Sequence, residues 1–249
     1  MTDDPKDLAT VVASMPKPLL VACDVDGTLA DLTESPEAAR LVPGALEALA
    51  ALQAHGCEVA IISGRPMCDL VVQFGLPSTL HLYGSHGAER GADPDGSART
   101  ADETNALEVV TATLERIAAE HEGAWVESKP FGAALHVRRC SAEVGERALL
   151  SARSALAEIP DVRLLDSHLV IEGTVRNTTK RAALAELREE VRPGTTVFVG
   201  DDPNDEHVFE SLSAIDVGIK VGPGVTLATH RLAIPHDTVE FLTALAGVL

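Results

Sequence analysis

Between Leu19 and Asp31 the chain reads LLVACDVDGTLAD: five apolar residues run straight into Asp24, a second carboxylate follows at Asp26, and then come Gly27 and Thr28. Two acids two positions apart share one side of an extended chain, and where water is scarce they repel each other. More polar groups stand at the ends of other apolar runs, Ser63 after CEVAII and Asp201, Asp202 and Asp205 after TTVFVG. Carboxylates gathered in this way call for a cation. Hard oxygen ligands with solvent in the remaining positions suit Mg²⁺ far better than zinc. Such an ion offsets the repulsion and lets an anionic carboxylate approach an anionic phosphoryl group.

Lys180 can supply a second positive charge. In RNTTKRAALAELREE, Asn177 or Thr178 is placed to cap a helix whose first turn holds Lys180, beside free backbone N–H groups that favour anions. The chemistry this predicts is phosphate ester hydrolysis. Asp24 acts as nucleophile and forms an aspartyl-phosphate; Asp26 protonates the departing sugar oxygen and then activates water. A proton donor two residues from the nucleophile points to an alkoxide leaving group rather than to ATP cleavage. Gly27 permits a tight turn, and the Thr28 and Ser63 hydroxyls can position phosphate oxygens.

These residues need a scaffold that brings strand ends together. PGALEALAALQAHG reads as a helix with Leu46, Leu49 and Leu52 on one side, and RPMCDLVVQFG as a second with Met67, Leu70, Val71 and Phe74 inward. The strands LLVAC, CEVAIIS and HLYG alternate with them. The rhythm returns at the end of the chain: strand TTVFVG, helix NDEHVFESL, strand DVGIKV, and a terminal helix with Val239, Leu242 and Ala246 inward. The fold class is therefore α/β, a doubly wound parallel sheet with ligands at the carboxyl ends of its strands. A middle stretch departs from this pattern. After the loop GADPDGSA come a helix with Leu107, Val110, Leu114 and Ile117, strands WVESK and AALHVRR, a second helix, and strands VRLLD and HLVIE. That α-β-β-α-β-β order predicts an inserted α+β domain over 92–176, between core segments 1–91 and 177–249.

Asp24-Val25-Asp26-Gly27-Thr28-Leu29, Ser63, Lys180 and Gly200-Asp201-Asp202 resemble, in order, the motifs of the haloacid dehalogenase-like phosphatases, whose core is a HAD-like Rossmannoid sheet. The resemblance implies metal ligation by the Asp24 and Asp201 side chains and the Asp26 backbone carbonyl, with Asp205 either a ligand or a support for one. It also implies that the insertion is a mobile cap. Within that family the chain is similar to the trehalose-6-phosphate phosphatases through Ser63-Gly64-Arg65, Gly84 to Glu89, Glu127 to Pro130, Ala134 to Arg138, Glu172, Gly200 to Glu206 and Val221 to Gly224. This similarity implies Mg²⁺ as cofactor and cap residues Glu127, Lys129 and Glu172 as ligands for sugar hydroxyls, which buried ions select strongly. Arg65 is open between a substrate contact and a pair with a surface acid, and His86 and His136 between structural and catalytic roles. Two positions depart from the family pattern: Glu172-Gly173-Thr174-Val175 stands where Glu-x-Lys-Pro is usual, and Asn204 where Thr is usual.

Composition narrows the rest. The 249 residues carry a net charge of −18, which repels nucleic acid and anionic membranes. The four cysteines form no CxxC pair or His-Cys cluster, and reduced cytoplasmic thiols are the reading they favour. The N-terminal stretch lacks the features of a secretory signal, and no apolar run is long enough for a bilayer. The expectation is a cytoplasmic, Mg²⁺-dependent phosphomonoesterase whose partner is a small sugar phosphate, trehalose 6-phosphate first and a related or aminocyclitol-type pseudo-disaccharide phosphate second. A sugar phosphomutase and a non-catalytic sugar-phosphate sensor are the readings from other classes. Oligomeric state is not legible.

Overall fold

The computed structural model describes residues 2–33, 35–91, 99–167 and 169–249. The loop that follows Gly91, and the domain boundary expected at Ala92, lie outside them. In chain order the elements are α1 (Pro5–Ala13), β1 (Leu19–Cys23), α2 (Ala45–Ala54), β2 (Glu58–Ile62), β3 (His81–Gly84), β4 (Glu89–Arg90), α3 (Ala101–Glu120), β5 (Trp125–Lys129), β6 (Gly132–His136), α4 (Ala142–Ala157), β7 (Arg163–Ser167), β8 (Val170–Thr174), α5 (Lys180–Val191), β9 (Thr195–Gly200), α6 (Pro203–Phe209), β10 (Val217–Val221), β11 (His230–Leu232) and α7 (Pro235–Val248). The chain divides into two compact units, Met1–Asp93 with Thr179–Leu249, and Pro94–Thr178.

The first unit is built on a sheet of order β11-β10-β9-β1-β2-β3-β4. Its neighbours run parallel, except that β3 and β4 are antiparallel. All five residues of β1 are buried, as a strand covered on both faces requires. Leu19, Val21 and Cys23 pack with α1, α2 and α7, whereas Leu20 and Ala22 pack with α5 and α6. On the second face Phe198 meets Phe209 edge-on at 5.7 Å, a pairing worth about 0.5–1.5 kcal/mol beyond its buried area. The doubly wound fold expected from the sequence is thus present, with a short antiparallel edge at β4.

Parallel register positions the site. Cys23 lies level with Ile61 on one side and Val199 on the other. The residues that follow, Asp24, Ser63 and Asp201, therefore leave the sheet at neighbouring points on its carboxyl edge. The Asp24 N–H donates to the Val199 carbonyl at 2.9 Å, which fixes the start of that turn.

Two expected helix faces differ. Ala45 and Ala48 join Leu49 and Leu52 in the core, while Leu46 is 37% exposed, because the inner stripe of α2 is rotated toward its alanines. Over 67–74 the expected helix is short and its Asp69–Gln73 stretch is π-helical, closed by the Phe74 N–H to the Asp69 carbonyl. That wider i→i+5 winding keeps Leu70 and Phe74 buried and turns Val71 outward.

In the second unit the antiparallel sheet β5-β6-β8-β7 carries α3 and α4 on one face. A Cβ at Gly173 would lie 3.0 Å from both Leu156 of α4 and Val110 of α3, so this glycine lets the helices sit close to the sheet. Alternation then puts Glu172 on the opposite face, and the register Glu127↔Ala134↔Glu172 puts Glu127 on that same face, across Ala134. β6 ends at His136 rather than at Arg139; Arg138 and Arg139 lie in the turn that follows.

Candidate active site

The turn after β1 is closed on itself. The Val25 carbonyl accepts from the N–H groups of Thr28, Leu29 and Ala30. Gly27 has φ +68°, and a Cβ there would fall 2.0 Å from Asp201 Oδ2. No L side chain fits, for backbone and for contact reasons alike. Thr28 is fully buried in the same turn, and its hydroxyl makes no hydrogen bond among the described residues.

Lys180 is the first residue of α5, and the cap is Thr179, whose side chain accepts from the Ala182 N–H at 2.9 Å. It is neither Asn177 nor Thr178, because only Thr179 has the extended conformation immediately before the helix. The buried Lys180 ammonium lies 2.7 Å from Asp24 Oδ2 and 2.8 Å from Asp205 Oδ1. Asp24, Asp201 and Asp205 each offer an oxygen within 4.8 Å of the others. Asp205 is held from two sides, since its Oδ2 also accepts from the Asp202 N–H at 3.0 Å in the capping box of α6. The Lys220 ammonium donates to the main-chain carbonyl of Asp201.

Negative charge exceeds positive in this cluster, with three carboxylates against Lys180, while Lys220 is given to a main-chain carbonyl. Burial pushes Asp24 up to about 7 and Asp201 up to about 8; the Asp205 charge raises both, and the Asp24 charge raises Asp201 further. Asp205 is raised by burial as well, against the pull of Lys180. For Lys180, burial disfavours the charge, but Asp205 and Asp24 outweigh it and hold the group above its ordinary value. The lysine stays charged and the carboxylates are in surplus. An oxygen-lined divalent cation site corrects such an imbalance, so the residues present fit a hard metal ion.

The remaining predicted groups of the first unit divide. Ser63 is buried at the end of β2, and its Oγ accepts from the Arg65 N–H at 3.2 Å. Asp26 is not part of the acidic cluster. Its carboxylate is gripped by Arg65, Nε to Oδ2 and Nη2 to Oδ1, both at 2.7 Å. Ser85 and His86 both lie in the left-handed region, at φ +48° and +56°. The turn is held by the Ser85 N–H to Arg65 and the His86 N–H to Ser63, and the imidazole lies so close over Gly64 that a Cβ there would meet it at 2.7 Å.

The second unit carries its own polar cluster. Lys129 pairs with Glu172 at 2.5 Å and His136 with Glu127 at 2.8 Å. His136 also stacks on Trp125, with ring centroids 4.1 Å apart and planes 5° from parallel. Burial works against the Glu127 charge, but His136 and Lys129 hold its carboxyl below the usual range. Trp125 and Lys220 were not singled out from the sequence. A lysine inside the apolar strand VGIKV is a signal that a partner must exist; the Trp125–His136 stack depends on cross-strand register, which no local pattern reports.

The family model for trehalose-phosphatase matches residues 22–230. A protein of Mycobacterium tuberculosis H37Rv named "uncharacterized glycosyl hydrolase" is 36% identical over 243 residues, covering 91% of this chain and 18% of that one. The trehalose-phosphate phosphatase of the same strain is 35% identical over 242 residues, covering 91% and 61%. The chain thus spans less than two thirds of these curated relatives. Among solved structures, the C-terminal domain of C. albicans trehalose-6-phosphate phosphatase superposes with a TM-score of 0.83 at 21% identity, covering 98% of this chain and 97% of that one. A HAD subclass IIB sugar phosphatase follows with a TM-score of 0.61 at 17% identity, covering 93% and 100%. The fold is the HAD phosphatase fold. Among the described residues no helix is long and apolar enough to cross a membrane.

Proposed function

The chain belongs to the trehalose-phosphatase family, and from that premise we propose that it hydrolyses trehalose 6-phosphate to trehalose and phosphate, with Mg²⁺, through an aspartyl-phosphate on Asp24. One observation carries the reading: a buried Asp24 at a strand end, 2.7 Å from the Lys180 ammonium, beside more carboxylate than that lysine can neutralise.

An Asp24 oxygen attacks phosphorus while the phosphorus–oxygen bond to the sugar breaks, and Asp26 gives its proton to the departing oxygen. Water then attacks phosphorus as Asp26 takes its proton, and Asp24 leaves. Lys180 favours the ionised form of Asp24 against burial and aims it, and Ser63 and Thr28 offer hydroxyls to the phosphate oxygens. Mg²⁺ held by Asp24, Asp201 and Asp205, with the Asp26 carbonyl, would supply charge neutralisation for the transferring phosphoryl group. In the second unit Glu127, Lys129 and Glu172 select the sugar by its hydroxyls. A second reading, a pseudo-disaccharide phosphate, draws on Thr174, whose hydroxyl is turned to the Phe131 carbonyl at 3.0 Å where a family lysine would carry charge.

The test is a panel of trehalose 6-phosphate, sucrose 6-phosphate, glucose 6-phosphate and a pseudo-disaccharide phosphate, assayed for phosphate release with and without EDTA. EDTA is expected to stop release. Glu127→Ala and Lys129→Ala are expected to cost about tenfold or more on the preferred disaccharide and much less on a small generic ester. Equal losses on both would remove the sugar-selecting role; formation of an isomeric sugar phosphate would identify a mutase, and tight binding without release a sensor.

The raised carboxyls predict a pH effect. In the ion-free protein the native state keeps protons on Asp24 up to about 7 and on Asp201 up to about 8, whereas an unfolded chain loses them near about 4. The native state then binds more protons than the unfolded one, so stability falls as pH rises through that window. Mg²⁺ binds the ionised carboxylates, so the rise in melting temperature that it produces should be larger at about pH 8 than at about pH 6. A shift of the same size at both values would mean that these carboxyls do not bind the ion.

A further inference from the structure

We infer that Arg65 is the positioning residue for Asp26, holding that carboxylate for both of its proton transfers, and not a ligand for the substrate phosphate; the inference rests on the proposed phosphatase reading. The two-legged contact with Asp26, at 2.7 Å on each oxygen, is the geometry in which a guanidinium fixes the plane as well as the place of a carboxylate. Arg65 is itself enclosed and held on several sides. It is 8% exposed, its Nη1 donates to the Pro36 carbonyl at 2.9 Å and lies 3.7 Å from Asp69, and its guanidinium sits 5.3 Å over the Phe74 ring. Its main chain is tied to Ser63 Oγ on one side and to the Ser85 N–H on the other. Three of its nitrogens are thus engaged within the protein, which leaves little of the fork to meet a phosphate.

Asp26, by contrast, stands at the start of a turn with a third of its side chain exposed, and Arg65 is the partner that holds its carboxylate among the described residues. The fork occupies one lone pair on each oxygen and leaves another on each. That remaining site is where a proton can pass to the sugar oxygen and from the incoming water. No net proton is gained or lost over the cycle: the one given to the sugar is replaced from water. A displacement of the carboxylate by about 1 Å is enough to cost roughly 10²-fold in rate.

The discriminating readout is the leaving group. An aryl ester departs without a proton, and a sugar ester does not. The whole chain with Mg²⁺ is assayed on trehalose 6-phosphate and on p-nitrophenyl phosphate, with leaving-group release followed in single turnovers. Arg65→Lys, which keeps the charge and loses the fork, is expected to lower release from the sugar ester by about 10²-fold. The loss on the aryl ester should be several times smaller. Arg65→Gln should repeat the pattern, and thermal melts show whether each variant folds. Asp26→Asn should shift the ratio of the two esters in the same direction, and Asp26→Asn with Arg65→Lys should lose no more than Asp26→Asn alone. Equal losses on both esters with a raised KM would make Arg65 a phosphate ligand and overturn the inference, as would an unchanged ratio or multiplicative losses in the double variant. A wild-type chain that releases neither leaving group would overturn the phosphatase reading and this assignment with it.

Discussion

Asp24→Asn is expected to lower phosphate release by at least about 10⁴-fold, the scale on which loss of a covalent nucleophile is felt, while leaving the fold intact. The amide matches the carboxylate in volume and keeps the main-chain bond from residue 24 to Val199. It also removes one of three carboxylates crowded within 4.8 Å of each other. The ion-free variant should therefore melt no lower than the parent, and Mg²⁺ should stabilise it less, because one charged ligand is gone. Phosphate release, a search for phosphorylated protein by mass, and melting with and without Mg²⁺ check all three statements. An Asp24→Asn protein that turned over would exclude the covalent route.

Lys180→Met is expected to damage stability and activity together. The side chain is 3% exposed and is the charged donor to both Asp24 and Asp205. Removing one partner from a buried ionic group costs about 3–5 kcal/mol, because the remaining charge is stranded. Here two carboxylates are stranded. Lowering the pH protonates them and relieves the penalty, so the stability gap between variant and parent should be small in mild acid and widen as pH rises. Denaturant unfolding at two pH values measures that gap, and a gap independent of pH would mean that Lys180 does not compensate these acids. Turnover should fall by roughly 10²–10³-fold, as when one preorganised donor to a reacting centre is lost.

The core was legible because strands buried on both faces read as uninterrupted apolar runs: LLVAC is β1 residue for residue, and TTVFVG is β9. The turn at 69–73 was not, since apolar positions at i, i+3, i+4 and i+7 do not distinguish an α-helix from a wider winding. β4 and β11 are two and three residues long, below what any periodicity can report. α1 carries a legible start, with Asp4 as its cap and Pro5 at its first position, although its stretch is short. In the site, the acids and Lys180 announce themselves through charge at the ends of apolar runs. The partners Arg65–Asp26 and Glu127–His136 do not, because they are set by which strand ends lie level and which rows face each other across a sheet.

The interruption of the first unit by Pro94–Thr178 also has a bearing on how the protein is made. As the chain leaves the ribosome, β1 meets β2 early, but its other neighbour, β9, emerges only after the whole intervening unit. Until then β1 presents an unpaired edge, the kind of surface on which nascent chains stick to one another. The intervening unit, by contrast, pairs its four described strands among themselves and can close first. Asp24 must wait for Lys180, Asp201 and Asp205, so a chain cut short at Thr178 would hold the strands of one unit complete and an acid that has nothing to act with.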